Sequence, residues 1–283
     1  MSLSLFLSFD SLSRVDGSAR FGFGQYPQFL TSLSGPIEVR LASEQPSRST
    51  VEVSVRPLSN VPGTESKAAA VILKEIMQRL IITEANPRTL IQFVVQALVP
   101  ISSLDDSFIA SMINSCTLAL INAGSVPMRG VICAAFVGRV GNQCREEASA
   151  AAAQYIVQPT EKQASGIDAA GCFAFLFSGS SSSSDSYHSS CVWTNWRSIK
   201  SRQRLRPGSG TDETSLEAAR EVARENARQI WDRIKLLIEE RESPSTLGSS
   251  KTSAKASAKP KEAEKMKVYT DVEEENDAKM EII

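Results

Sequence analysis

The chain has 283 residues, 42% of them hydrophobic and 22% charged, proportions close to the globular average that exclude a wholly disordered, collagenous or membrane-embedded polypeptide. Its 31 Lys and Arg against 32 Asp and Glu leave a formal charge of -1, too little cation for an autonomous nucleic-acid binder, whose non-specific affinity comes from neutralising phosphates. No apolar run reaches the ~18 residues that span a bilayer. The opening MSLSLFLSFD has no basic region of the kind that begins a signal peptide, so a soluble, intracellular protein with no membrane partner is expected.

Residues 18–23 and 28–34 alternate apolar and polar on either side of Gly24 and Pro27, which predicts a hairpin. Val51, Val53 and Val55 share one face of a strand that Pro57 stops. A helix follows, with Thr64 as its N-cap and Val71, Leu73, Ile76, Met77, Leu80 and Ile81 as its apolar stripe, before Asn86-Pro87 breaks the pattern. Residues 89–98, TLIQFVVQAL, have the β-branched and aromatic content of a buried strand. Residues 105–123 read as a second helix, buried through Ile109, Met112, Ile113, Cys116 and Leu120 and stopped by Gly124.

Further strands are expected at residues 130–140, 155–157, 172–177 and 191–196, with Trp193 and Trp196 on opposite sides of the last. Thr214 and Glu217 then form a capping-box pattern, and Leu216, Ala223, Ala227, Ile230, Ile234 and Leu237 line one side of an amphipathic helix whose natural cover is the preceding sheet. The serine tract at 178–190, SGSSSSSDSYHSS, predicts a surface loop. The lysine-rich and then acidic segment 242–283 lacks the apolar groups to offset its ordering entropy and is expected to be a disordered tail. The ordered part is then one α+β domain over residues 1–241.

Chemistry is sparse. Cys116, Cys133, Cys144, Cys172 and Cys191 form no C-x-x-C pair and read as free thiols, most of them buried. The single His188 lies in the serine tract, so neither a zinc cluster nor a Ser-His or Cys-His nucleophile is expected.

Six segments occur in an order that carries a specific resemblance. They are DGSARF (16–21), SGPIEVR (34–40), VEVSVRP (51–57), NPRTLIQ (86–92), DDSFIASMINSCTLALINAGSVPMRG (105–130) and VQPTEKQ (157–163). In this order they resemble the RNase PH-like ring subunits of the eukaryotic RNA exosome. The resemblance implies an RNase PH-like fold, with a ribosomal-protein-type β-α-β core and mixed sheets packed on helices. It also implies assembly with other RNase PH-like subunits into a hetero-hexameric ring, RNA-binding cap subunits on that ring, and single-stranded RNA in its channel. Its implied role is in 3'-to-5' RNA processing and decay in the nucleus, nucleolus and cytoplasm.

Active members of this family cleave RNA with inorganic phosphate. They hold that anion with arginines and a D-G-G-T-R-T turn at a helix start, and bring a divalent metal with carboxylates. At the corresponding turn this chain has Asp105-Asp106-Ser107-Phe108-Ile109-Ala110, so Phe108 and Ile109 stand at the Thr and Arg positions. The arginine expected ahead of the earlier helix falls at Thr64, and the metal-binding acids correspond to Lys162 and Asp168. The resemblance therefore implies a ring subunit without catalysis, metal or cofactor; the alternative is an active phosphate-dependent 3'-exoribonuclease. For RNA in the channel the candidate cations are Arg56, Lys67 and Arg88, with Arg88 expected at the far end of its strand from the phosphate turn.

Overall fold

The computed structural model describes residues 4–10, 12–59, 61–100, 105–140, 155–159, 163, 166–179, 187–199 and 211–242. The described residues belong to one compact unit, residues 1–243. The expected tail beyond residue 242 lies outside the described residues, as do Lys162 and Cys144.

Among the described residues, two sheets and three long helices make up the fold. The first sheet holds β1 (Leu5–Asp10), β2 (Gly17–Phe23), β3 (Phe29–Glu38), β4 (Thr50–Arg56) and β5 (Thr89–Ala97), in the order β1-β2-β3-β5-β4. Its pairs are antiparallel except β4 with β5, which run parallel because α1 (Thr64–Leu80) carries the chain back between them. The second sheet holds β6 (Val131–Val140), β7 (Tyr155–Val157), β8 (Ile167–Gly179), β9 (Tyr187–Thr194) and β10 (Arg197–Ser198), with β8 central between β6 on one side and β9 and β10 on the other.

The helix α2 (Asp106–Ala123) is the middle layer, packed on β2 and β3 of the first sheet and on β6 and β8 of the second. A helix covered on both sides must be apolar nearly all round, and every residue from Ile109 to Leu120 is buried. The polar members of that run find partners inside. Asn114 donates to the Ala134 carbonyl at 2.9 Å and accepts from the Ala134 amide at 2.7 Å, while the Thr31 and Ser115 hydroxyls meet at 2.7 Å. The final helix, α3 (Thr211–Glu242), covers the outer side of the second sheet through Ala219, Ala223, Ala227, Ile230 and Ile234.

Several expectations change against this frame. The helix α1 has Gly63 as its N-cap, with Thr64 its first helical residue and no side-chain cap bond. Val71 is 67% exposed, because it stands two residues, or ~200°, from the buried Ala69. The helix α3 begins at Thr211, three residues ahead of the start expected at Thr214. The serine tract is not wholly a loop: β8 runs to Gly179 and β9 starts at Tyr187, so Ser178 pairs with His188 in a hairpin whose residues 180–186 lie outside the description. Trp196 falls beyond β9, which ends at Thr194, and packs on Phe173 with ring centroids 5.9 Å apart. The strands β1 and β10 were not expected: the first has six half-buried residues and the second only two.

Candidate functional site

The start of α2 is where the resemblance locates chemistry. Asp105 is the N-cap, and the amides of Phe108 and Ile109 bond to its carbonyl at 2.9 and 3.2 Å. Phe108 turns inward, its ring standing edge-on to Phe29 at 5.9 Å, and Ile109 is buried in the core. Neither presents a polar group outward. Ser107 donates to the Gln158 side-chain oxygen at 3.1 Å, and Ser111 donates to that of Gln28 at 2.6 Å.

Asp106 is the charged group of this turn, and it is 4% exposed. Its carboxylate accepts from Asn195 Nδ2 at 2.9 Å and faces the Arg197 guanidinium at 3.4 Å. Burial pushes the Asp106 carboxyl above its ordinary range, outweighing Arg197 and Asn195, which pull it down, while Asp105 adds a small upward push. Asn195 arrives from the turn between β9 and β10, and Arg197 from the start of β10. That turn lies so close to β8 that a Cβ on Gly171 would come within 2.6 Å of the Asn195 carbonyl and the Trp196 Cα. Sequence reasoning missed both residues. Their only signal is Gly171 facing a two-residue strand, which pattern alone does not reveal.

Asp168 lies on β8, two positions from Ala170, the register partner of Arg197. Among the described residues no group of three or more His, Cys, Asp or Glu could hold a metal ion. Thr64 lines a cleft of about 240 Å3 with Val55, Pro57 and Met112, and Met112 is one turn along α2 from Phe108. The fold thus gathers the starts of α1 and α2 at one end of the first sheet.

Of the three candidate cations, Arg56 and Lys67 share that end. Arg56 is exposed opposite Gln96, whereas Val55 points into the core, so Arg56 leaves the sheet on the face away from α1. Lys67 is exposed on the first turn of α1. Arg88 sits at the other end of β5, about 26 Å along the strand from Gln96, with a positive φ of 60° and Glu44 3.4 Å away.

The recognised motifs act as joints. The Asp16 carboxylate of DGSA accepts from the Gly35 amide of GPIE at 2.7 Å, and Ser125 donates to the Gly35 carbonyl at 2.8 Å. The turn after α2 is fastened to α1 by bonds from Ile82 to Pro127 and from Arg129 to Leu80. The four described thiols are all held towards the protonated form: burial pushes Cys116 up to about 12 and moves Cys133 and Cys172 well upward, and the half-buried Cys191 is also raised.

Residues 3–125 match the family model described as 3' exoribonuclease family, domain 1. The exosome complex component rrp46 of Schizosaccharomyces pombe is 34% identical over 123 residues, 44% of this chain and 52% of that protein. The Saccharomyces cerevisiae component RRP46 is 34% identical over 119 residues, covering 40% and 52%. A rice protein named exosome complex exonuclease RRP46 homolog is 28% identical over 118 residues, covering 42% and 47%. The chain thus spans about half the length of the curated relatives it matches. In structure it superposes on crystalline rice Rrp46 with a TM-score of 0.63 over 84% of this chain and 96% of that one, at 19% identity. An archaeal exosome core chain gives 0.53 over 81% and 87%, at 13% identity. The sequence match to the exoribonuclease family model runs from β1 to the end of α2, and the fold shared with the exosome chains takes in the second sheet as well.

Proposed function

We propose that this chain is a non-catalytic ring subunit of a eukaryotic RNA exosome. It joins other RNase PH-like subunits in a hetero-hexameric ring, carries RNA-binding cap subunits, and lines a channel for single-stranded RNA in 3'-to-5' processing and decay. Its place of action is the nucleus and nucleolus, and also the cytoplasm. The observation that carries the lack of catalysis is the start of α2. Phe108 and Ile109 are committed to the core, and the Asp106 carboxylate stands where a phosphate would need cations. Thr64 in the cleft at α1 adds no cation. The named relatives, all exosome components, support the ring.

Arg56 and Lys67 are the cations proposed for the RNA path, on opposite faces of one end of the first sheet. Arg88 is the weakest member, since it lies at the other end beside Glu44. Exchanging Arg56 and Lys67 for Glu is expected to leave assembly intact and weaken RNA protection most at low salt. Co-purification of the tagged chain, read by mass spectrometry, tests the ring; absence of other RNase PH-like subunits would refute it.

Phosphorolysis is the second reading, favoured by the exonuclease name of the rice relative and by Asp168, an acid retained at one of the two positions where the resemblance implies metal ligands. Purified chain given phosphate, Mg2+ and RNA with a single-stranded 3' end is expected to release no nucleoside diphosphate. Release that depends on phosphate and disappears in Asp168→Ala would establish this second reading instead.

A further inference from the structure

Arg197 is a cation aimed at the start of α2 from a different part of the chain. Its guanidinium is half exposed, the side chain retaining 56% of its accessible surface, while that of its partner Asp106 retains 3%. The pair is therefore lopsided: the anion is enclosed and the cation remains open to solvent. Asn195 completes the enclosure by directing its amide N–H at the same carboxylate, 2.9 Å away. This cradle is rigidly built. The Asn195 amide bonds to the Cys172 carbonyl at 3.0 Å, the Ile199 amide to that of Asp168 at 2.7 Å, and Gly171 gives the room for the intervening turn to lie on β8.

A guanidinium and an amide N–H converging on one point form a binding site for an oxyanion. Here the point is filled by a carboxylate covalently part of the same chain, at an effective concentration that no free anion in solution matches. We propose that Asp106 is a built-in competitor that keeps small oxyanions such as inorganic phosphate off Arg197 and Asn195. This deepens the non-catalytic reading and rests on it: the lack of phosphate chemistry would come from an occupied cradle in addition to missing ligands. Exclusion is local and is reversed by removing one side chain.

The test uses the full chain and inorganic phosphate, with sulfate as a second anion. Asp106→Ala empties the point that the carboxylate fills, leaving Arg197 and Asn195 to take an anion, and a cooperative unfolding transition shows that the variant keeps its fold. Calorimetric titration is expected to give phosphate affinity at least about tenfold above the parent. Adding Arg197→Ala to that variant is expected to abolish the gain. No gain in folded Asp106→Ala, or an equal gain in the double variant, would overturn the proposal. In the parent protein, backbone amide resonances of α2's first turn should stay still on phosphate addition; a saturating shift there would overturn it without any substitution. Failure of the non-catalytic reading is separately visible, as nucleoside diphosphate release by the parent chain.

Discussion

The two sheets of this molecule are built with different degrees of regularity. In the first, β3 and β5 alternate buried and half-buried residues, and Phe21, Phe29, Leu33, Ile91, Phe93 and Val95 are all buried in the core beneath α2 and α1. In the second, β6 and β8 are buried almost continuously because α2 covers one face and α3 the other. A one-sided sheet reveals its register through period-two alternation, whereas a two-sided one reads only as an apolar run. The family model covers the first region alone, residues 3–125, although the fold match extends over both.

The strongest way to break this contrast is to ask whether the two regions fold as one. Phe93 in β5 and Phe173 in β8 are both fully buried, and truncating either to Ala is expected to cost about 3–5 kcal/mol. Because α2 is packed by both sheets, each variant should lower one shared unfolding transition in denaturant. Two separate transitions, one for each substitution, would show that the regions are thermodynamically independent.

Asn114 tests the joint between them. It satisfies both the amide and the carbonyl of Ala134, so Asn114→Ala would leave two buried backbone groups of β6 unpaired. The expected loss is about 2–4 kcal/mol. An Asn114→Ala protein as stable as the parent would mean that α2 holds the second sheet by apolar contact only.

These joints also explain what could be read from the sequence. The hairpin of β2 and β3, both long apolar helices and the helix stop at Gly124 follow from local pattern, and Gly124 indeed takes the left-handed conformation at φ 63°. The strand β1 could not be read, because its partner β2 supplies the register and its own residues are all half-buried. The serine tract concealed strand residues for a similar reason: Ser178, Ser189 and Ser190 are strand by pairing, not by propensity. At the candidate site, Phe108, Ile109 and Asp106 were legible because one short turn contains them. Asn195 and Arg197 were not, since they arrive from a segment that begins 89 residues away from Asp106 in sequence.

The charge that joins the regions has a pH signature. Asp106 binds its proton more tightly in the folded chain than at its ordinary value of 3.8, with burial the larger cause. A carboxyl raised by folding stabilises the fold at pH below the ordinary value, and that contribution fades as pH climbs towards the raised one. Asp106→Asn should therefore remove a decline in stability above about pH 4 and leave the protein at least as stable at neutral pH. The gain is expected to be about 1 kcal/mol, since Arg197 remains solvated. A variant that instead steepens the decline would show that the ion pair outweighs burial.

The smallest expected effect lies where the last helix returns to the first strand. Arg241, in the final turn of α3, donates to Asn122 Oδ1 at 2.5 Å and places its guanidinium 5.1 Å from the Phe9 ring centre. Asn122 in turn donates to the carbonyls of Asp10 and Ser18 at 3.2 and 2.9 Å. This contact ties α3, α2, β1 and β2, so it crosses from the second region to the first, but it is exposed and screened by solvent. Arg241→Ala should cost no more than about 1 kcal/mol, and removing residues 243–283 while keeping Arg241 should cost less still. Hydrogen exchange offers the sharper reading: β1 and the last turn of α3 should lose protection in Arg241→Ala while β5 and β8 keep theirs. Equal loss across both sheets would mean that this peripheral contact carries global stability, and that the second region leans on the first at its edge as much as through α2.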